Sequence, residues 1–86
     1  MFYVYVLQSK KDKSFYIGFA PNLRERLVKH SKRLVQSTKH LLPMTLIYFE
    51  SYRSKTDALN REKQLKRFAK GFYSLKRRLR ESMLEE

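Results

Sequence analysis

The stretch Phe2-Tyr3-Val4-Tyr5-Val6-Leu7-Gln8, followed by Phe15-Tyr16-Ile17-Gly18-Phe19, decides the fold. Both segments are rich in Val, Ile, Tyr and Phe, the residues that suit a pleated, half-buried surface. In a strand, side chains alternate, so Phe2, Val4 and Val6 face one way while Tyr3, Tyr5 and Leu7 face the other. The polar run Ser9 to Ser14 between them reads as a turn. The two strands therefore form a β-hairpin with aromatic residues on both faces.

Outward from the hairpin, Pro21-Asn22 opens a helix. Asn22 is a good N-cap and Glu25 follows three residues later, in the manner of a capping box. The pattern predicts a helix from about Leu23 to Leu34, a polar loop from Gln36 to Pro43 and a third strand from Met44 to Tyr52. Ser54 and Asp57 form a second capping signature, which starts a helix over about Lys55 to Ala69. Gly71 is expected to break it, and a last basic helix is expected over about Phe72 to Met83. The order β-β-α-β-α-α predicts an α/β (α+β) fold, a small three-stranded antiparallel sheet flanked by helices. The 86 residues suffice for one modest core, so residues 1–86 read as a single domain.

The charge is lopsided. Twenty Lys and Arg face eight Asp and Glu, a formal net charge of +12. A compact domain with that excess repels itself unless something anionic is near, and a nucleic acid is the natural partner, bound partly by counterion release. A membrane surface is the rival. Nothing resembles a signal peptide or a spanning helix, because Met1 to Leu7 is short and runs straight into charge. The absence of Cys excludes disulfides, zinc–thiolate sites and thiol nucleophiles, and it fits a reducing, cytoplasmic setting.

Two helices carry a polar residue where an apolar one is due. Leu23, Leu27 and Leu34 share one face of the first helix, His30 falls among them, and Arg26 lies one turn before His30. In the second helix Ala58, Leu59, Leu65 and Ala69 define the inward face, and Glu62 lies inside it. A buried carboxylate costs several kcal/mol unless it is paired or binds a metal, so Glu62 needs a cation. That cation could be Arg26 or a Lys, which would make Glu62 an organiser of the core, or it could be a metal ion. His30 alone could be a satisfied core histidine, and Tyr3, Tyr5 and Tyr16 singly could be strand aromatics. Jointly they outline a cleft with phenols, an Arg, a His and a Glu, the parts phosphodiester hydrolysis needs.

The same residues resemble a known family. Tyr3-Val4-Tyr5 and Tyr16-Ile17-Gly18 are similar to the two halves of the GIY-YIG motif, with Tyr3 where the family has Gly. Asn22-Leu23-Arg24-Glu25-Arg26-Leu27 resembles the helix carrying the family's essential Arg, matched by Arg26, and His30 falls where the family has His or Tyr. Ser37-Thr38-Lys39-His40, Pro43 and Leu46-Ile47-Tyr48-Phe49-Glu50 resemble the loop and third strand of small single-domain bacterial-type members, which are related to the N-terminal nuclease domain of an excision-repair endonuclease. Ala58 followed by Arg61-Glu62-Lys63-Gln64-Leu65-Lys66 resembles the helix with the metal-binding Glu. The late Asn of several members has no counterpart near Ser74.

The resemblance implies a metal-dependent endonuclease acting on DNA, with RNA left open, and a place in DNA repair or recombination. It implies one divalent cation, Mg²⁺ or Mn²⁺, on Glu62, with Tyr16 handling the attacking water, Tyr5 assisting, Arg26 stabilising charge and His30 taking protons or holding the nucleophile. Gly18 is expected to let backbone approach the helix start. The basic positions expected to contact nucleic acid are Lys39, Lys66, Arg67, Lys76, Arg77 and Arg80, although a charge run is usually a solvated face. Lys70 and Arg78 belong to the same run. The competing readings are a non-catalytic basic nucleic-acid-binding module that retains the fold, and a basic accessory protein docking on an acidic partner.

Overall fold

The computed structural model describes residues 1–67 and 69–84. The elements are β1 (Phe2–Ser9), β2 (Phe15–Ala20), α1 (Leu23–Ser31), a short 3₁₀ turn (Lys39–Leu41), β3 (Met44–Tyr52), α2 (Lys55–Arg67) and α3 (Ala69–Arg78). The order β-β-α-β-α-α is the expected one. β1 is the central strand of an antiparallel sheet ordered β2-β1-β3. Among the described residues, no helix is long and apolar enough to cross a membrane.

Strand parity assigns the two faces of β1. Val4 and Val6 bury against Ala58 and Leu65 of α2, Leu75 of α3 and Leu79 in the turn that follows it, with Phe2 packed on the same cluster. Tyr5 and Leu7 turn to the opposite face, where Ala20, Tyr16, Leu23, Leu27, Met44 and Leu46 gather around them. The sheet is thus covered by α1 on one side and by α2 and α3 on the other. Gln8, also buried, uses its side-chain amide to hold the segment after α3, accepting from Leu84 N at 2.7 Å.

Both predicted N-caps form. The Asn22 side chain accepts from Glu25 N at 3.0 Å, and Ser54 Oγ accepts from Asp57 N at 3.2 Å. Three boundaries differ from expectation. α1 stops at Ser31 rather than Leu34, because Arg33 takes a left-handed conformation with φ 62°. Arg33 N donates to His30 O at 3.1 Å and Leu34 N to Lys29 O at 2.9 Å, the paired bonds of a Schellman cap, so Leu34 leaves the helix and is exposed. Gly71 does not break a helix, since α3 spans Ala69–Arg78 and contains it; a helical Gly costs about 1 kcal/mol against Ala but does not forbid the conformation. The expected run of α2 to Ala69 passes through residue 68, which lies outside the described residues. Beyond Arg78 the chain continues as turns rather than as helix to Met83, with Ser82 N and Met83 N both donating to Leu79 O.

One carboxylate is enclosed on the α2 side of the sheet. The Glu50 side chain is only 14% exposed; it accepts from Arg61 Nε at 3.0 Å, from Tyr48 Oη at 2.6 Å and from Tyr52 Oη. Burial pushes its pKa up, but the bonds from Arg61, Tyr48 and Tyr52 outweigh burial and hold it below the ordinary carboxylate range. A carboxylate with a depressed folded value contributes stability that is present above the unfolded value of about 4.3 and disappears as pH falls through the folded value. Glu50→Gln is therefore expected to cost about 2 kcal/mol at pH 7, with the gap to wild type closing on acidification below pH ~4. Urea titrations at pH 7 and pH 3 measure this; the same gap at both pH values rules out an ionic origin.

Candidate active site

The hairpin register sets the site. Leu7 pairs with Tyr16 and Tyr5 pairs with Gly18, so Tyr5 and Tyr16 lie on the α1 face of neighbouring strands, their ring centroids 6.3 Å apart. Tyr5 is fully buried, whereas Tyr16 stays partly open to solvent. A Cβ at position 18 would clash with Cζ and Oη of Tyr5 and lie 2.9 Å from its Cε1. Gly18 therefore clears space for the Tyr5 ring. This corrects the expected reason for the glycine, which was the approach of backbone to the helix start.

α1 supplies two more groups from one face. His30, 2% exposed, faces Tyr5 with Nε2 2.8 Å from the phenol oxygen, and its ring lies edge-on to Tyr16 at 5.3 Å between centroids. The Arg26 guanidinium lies against both phenol hydroxyls. Its Nε is buried and has no hydrogen-bond partner among the described residues. Burial pushes the Tyr5 phenol up to about 12; Arg26 pulls it down, and the charges of Tyr16 and Glu62 add to the rise. Burial, reinforced by the Arg26 charge, holds His30 below its ordinary value, so the imidazole is neutral at pH 7. The other ring nitrogen, Nδ1, is 2.7 Å from Thr38 Oγ1. Thr38 is fully buried in the loop after α1, and as one Thr in a polar loop it offers no local signal of that contact.

A family profile described as the GIY-YIG catalytic domain matches residues 1–71. The chain belongs to the GIY-YIG family. A UPF0213 protein of Staphylococcus saprophyticus is 35% identical over 79% of this chain and 83% of its own length. A UPF0213 protein of Streptococcus pneumoniae is 41% identical over 76% of this chain and 66% of its own length, and one of Clostridium perfringens is 35% identical over 81% and 75%. No solved structure matches significantly.

In this GIY-YIG domain Glu62 sits on α2, and its side chain is 18% exposed. Its ion-pair partner is Lys66, one turn on, at 3.2 Å; no bond to Arg26 forms among the described residues. The described residues hold no group of three His, Cys, Asp or Glu able to enclose a metal. The Glu62 carboxylate is by itself the kind of oxygen donor that a hard cation keeping most of its water accepts.

The basic positions divide. Lys39, Lys66, Arg67, Arg77 and Arg80 are exposed. The Lys76 ammonium instead lies 5.2 Å over the Phe15 ring and 5.7 Å from that of Phe72, so it roofs two aromatic rings at the edge of the core. The Lys70 side chain is outside the described part of the structure. Beside Arg26, a groove of about 330 Å³ is lined by Phe19, Pro21, Asn22 and Lys29. A larger concavity, about 740 Å³ and mostly apolar, is lined by Tyr3, Val28 and Phe49 and borders that groove at Pro21 and Asn22.

Gly18→Ala is expected to cost about 1–3 kcal/mol, because the added methyl group forces the Tyr5 ring to move. In a Tyr5→Ala background the same change should cost almost nothing. A double-mutant cycle by chemical denaturation reads the coupling, and additive effects would show that the glycine is needed for some other reason.

Proposed function

We propose that this chain is a divalent-metal-dependent endonuclease that hydrolyses phosphodiester bonds in DNA with little sequence preference, acting in the cytoplasm in repair or recombination. The observation that carries the reading is the Tyr5–His30 pair, with the Arg26 guanidinium against both Tyr5 and Tyr16. A module that only binds nucleic acid has no use for a buried phenol joined to a neutral imidazole beside a guanidinium whose Nε has no partner among the described residues.

Hydrolysis joins a water oxygen to phosphorus as the ester oxygen leaves with the bonding electrons. Tyr16, the more open of the two phenols, orients that water. The proton the water sheds passes into the Tyr–His pair, whose base is the neutral His30 imidazole, weakened by burial and by the Arg26 charge and so ready to release the proton again. Tyr5, held near 12, stays protonated at pH 7 and serves as donor and spacer rather than as a free base. Arg26 meets the charge that builds on the equatorial phosphate oxygens. Glu62 would hold the cation, which when bound supplies Lewis-acid polarisation of the phosphate.

Nothing in the elements suggests base readout, so DNA is held by its backbone. α3 packs on the sheet face opposite Tyr5, so Arg77 and Arg80 extend the footprint without touching the reacting atoms.

Purified protein should nick or cut branched, flapped, plasmid or single-stranded DNA with Mg²⁺ or Mn²⁺ and not with EDTA. Glu62→Ala should abolish cleavage while leaving DNA affinity nearly intact. Arg26→Ala should lower turnover by roughly 10²–10³-fold, and Arg26→Lys should also be poor, because a point ammonium lacks the guanidinium fork. Cutting by Glu62→Ala at the wild-type rate would refute the metal assignment; binding without any cleavage would favour a binding module.

Binding itself should weaken steeply with salt and be nearly indifferent to sequence, each phosphate contact adding about 0.9 to the log–log slope on duplex DNA. Arg77→Gln with Arg80→Gln should flatten that slope and leave the saturated cleavage rate unchanged; Lys76 is kept because it packs on Phe15. Fluorescence anisotropy on two unrelated duplexes measures it. An unchanged slope would move the DNA path to the loop from Lys32 to His40.

A further inference from the structure

Tyr5, His30 and Thr38 form a buried chain, with contacts of 2.8 Å and 2.7 Å on either side of the imidazole. All three residues are at most 2% exposed, so each proton in the chain needs an acceptor inside the protein. Two placements are conceivable. If Thr38 donates to Nδ1, then Nε2–H must donate to Tyr5 Oη. The Tyr5 hydroxyl proton is then left without an acceptor among the described residues, since Tyr5 Oη makes no hydrogen bond to any oxygen there, that of Tyr16 included, and the Arg26 guanidinium only donates. If instead Nδ1–H donates to Thr38 Oγ1, the Thr38 hydroxyl can donate to Val35 O at 3.4 Å and Nε2 is free to accept from Tyr5. Only the second arrangement gives every proton a partner. Thr38 is also the N-cap residue of the 3₁₀ turn Lys39–Leu41, yet its side chain makes no capping bond, being committed to the imidazole.

We propose that Thr38 is a positioning residue of this site, holding His30 as the neutral Nδ1–H tautomer so that the basic Nε2 faces the Tyr5 hydroxyl. This rests on the nuclease reading for its catalytic meaning, but not for its geometry. The consequence is directional. A proton delivered to the Tyr5 hydroxyl can be passed on to His30 Nε2 while Tyr5 remains a neutral phenol, and the charge then formed on the ring is shared with Thr38 through Nδ1–H.

Long-range ¹H–¹⁵N spectra of the whole protein test it, and there are only two histidines, His30 and the exposed His40, whose signals a His40→Gln variant separates. At neutral pH, wild type should show His30 with a protonated Nδ1 and an unprotonated Nε2. Thr38→Val should abolish that pattern, and Thr38→Ser should keep it. In cleavage, Thr38→Val should lose roughly ten- to a hundredfold in kcat with KM little changed, and Thr38→Ser should recover most of the loss. A protonated Nε2 in wild type overturns the proposal even if Thr38→Val fails to fold, and so does a Thr38→Val spectrum with the tautomer unchanged. The expected spectra from a protein that cleaves no DNA would leave Thr38 in this role and refute the nuclease instead.

Discussion

A full-sized phenol has to be stored between a sheet and a helix with none of its surface left in water. β2 makes this possible by presenting no side chain at the position paired with Tyr5. The ring is then fixed from two directions, by the backbone of Gly18 beneath it and by His30 at its tip. That single placement ties β1, β2 and α1 together and brings Arg26 against the hydroxyl. Through His30 it reaches Thr38 and the loop after α1. The site is thus part of the packing on its side of the sheet, and its rigidity comes from the same contacts that hold the fold.

The two sides of the sheet treat charge differently. On the α2 side, Glu50 is closed off by Arg61 and two tyrosines, a carboxylate whose valences are filled within the protein. On the α1 side, Arg26 lies against two phenols, and its buried Nε has no hydrogen-bond partner among the described residues. With eight acidic residues against twenty basic ones, and with acids such as Glu50 and Glu62 already engaged by Arg61 and Lys66, most of the positive charge is uncompensated. An anion approaching the α1 face therefore meets an attractive field before it meets Arg26.

What could be read from the residues alone follows the range of the physics. Strand parity was legible because a period of two admits no other assignment once one face is apolar, and it separated Val4 and Val6 from Tyr5 and Leu7 correctly. The caps at Asn22 and Ser54 were legible because a cap reaches only three residues. The end of α1 was not, because the Schellman turn places Arg33 where glycine is the usual signal. Gly71 gave the opposite error, a helix-weakening residue that the helix absorbs. The Glu50–Arg61 pair joins a strand to a helix, and Thr38 reaches back eight residues to His30; neither contact leaves a mark in any short window. Tyr5, Tyr16, Arg26 and His30 converge on one side of the sheet, and Glu62 has Lys66 as its ion-pair partner rather than Arg26.

The assignment of faces by β1 also decides where this fold can change length. One extra residue between Val4 and Tyr5 would invert everything beyond it, turning the phenol of Tyr5 toward α2 and an aliphatic side chain toward His30. The polar turn from Lys10 to Ser14 carries no such parity, because it lies outside the ladder and is closed by its own bonds, among them Ser14 N to Asp12 Oδ1 at 2.9 Å. Insertions and deletions are thus confined to the hairpin tip and barred from the central strand, so a lineage could lengthen the tip into a new contact surface without disturbing the phenol–imidazole pair.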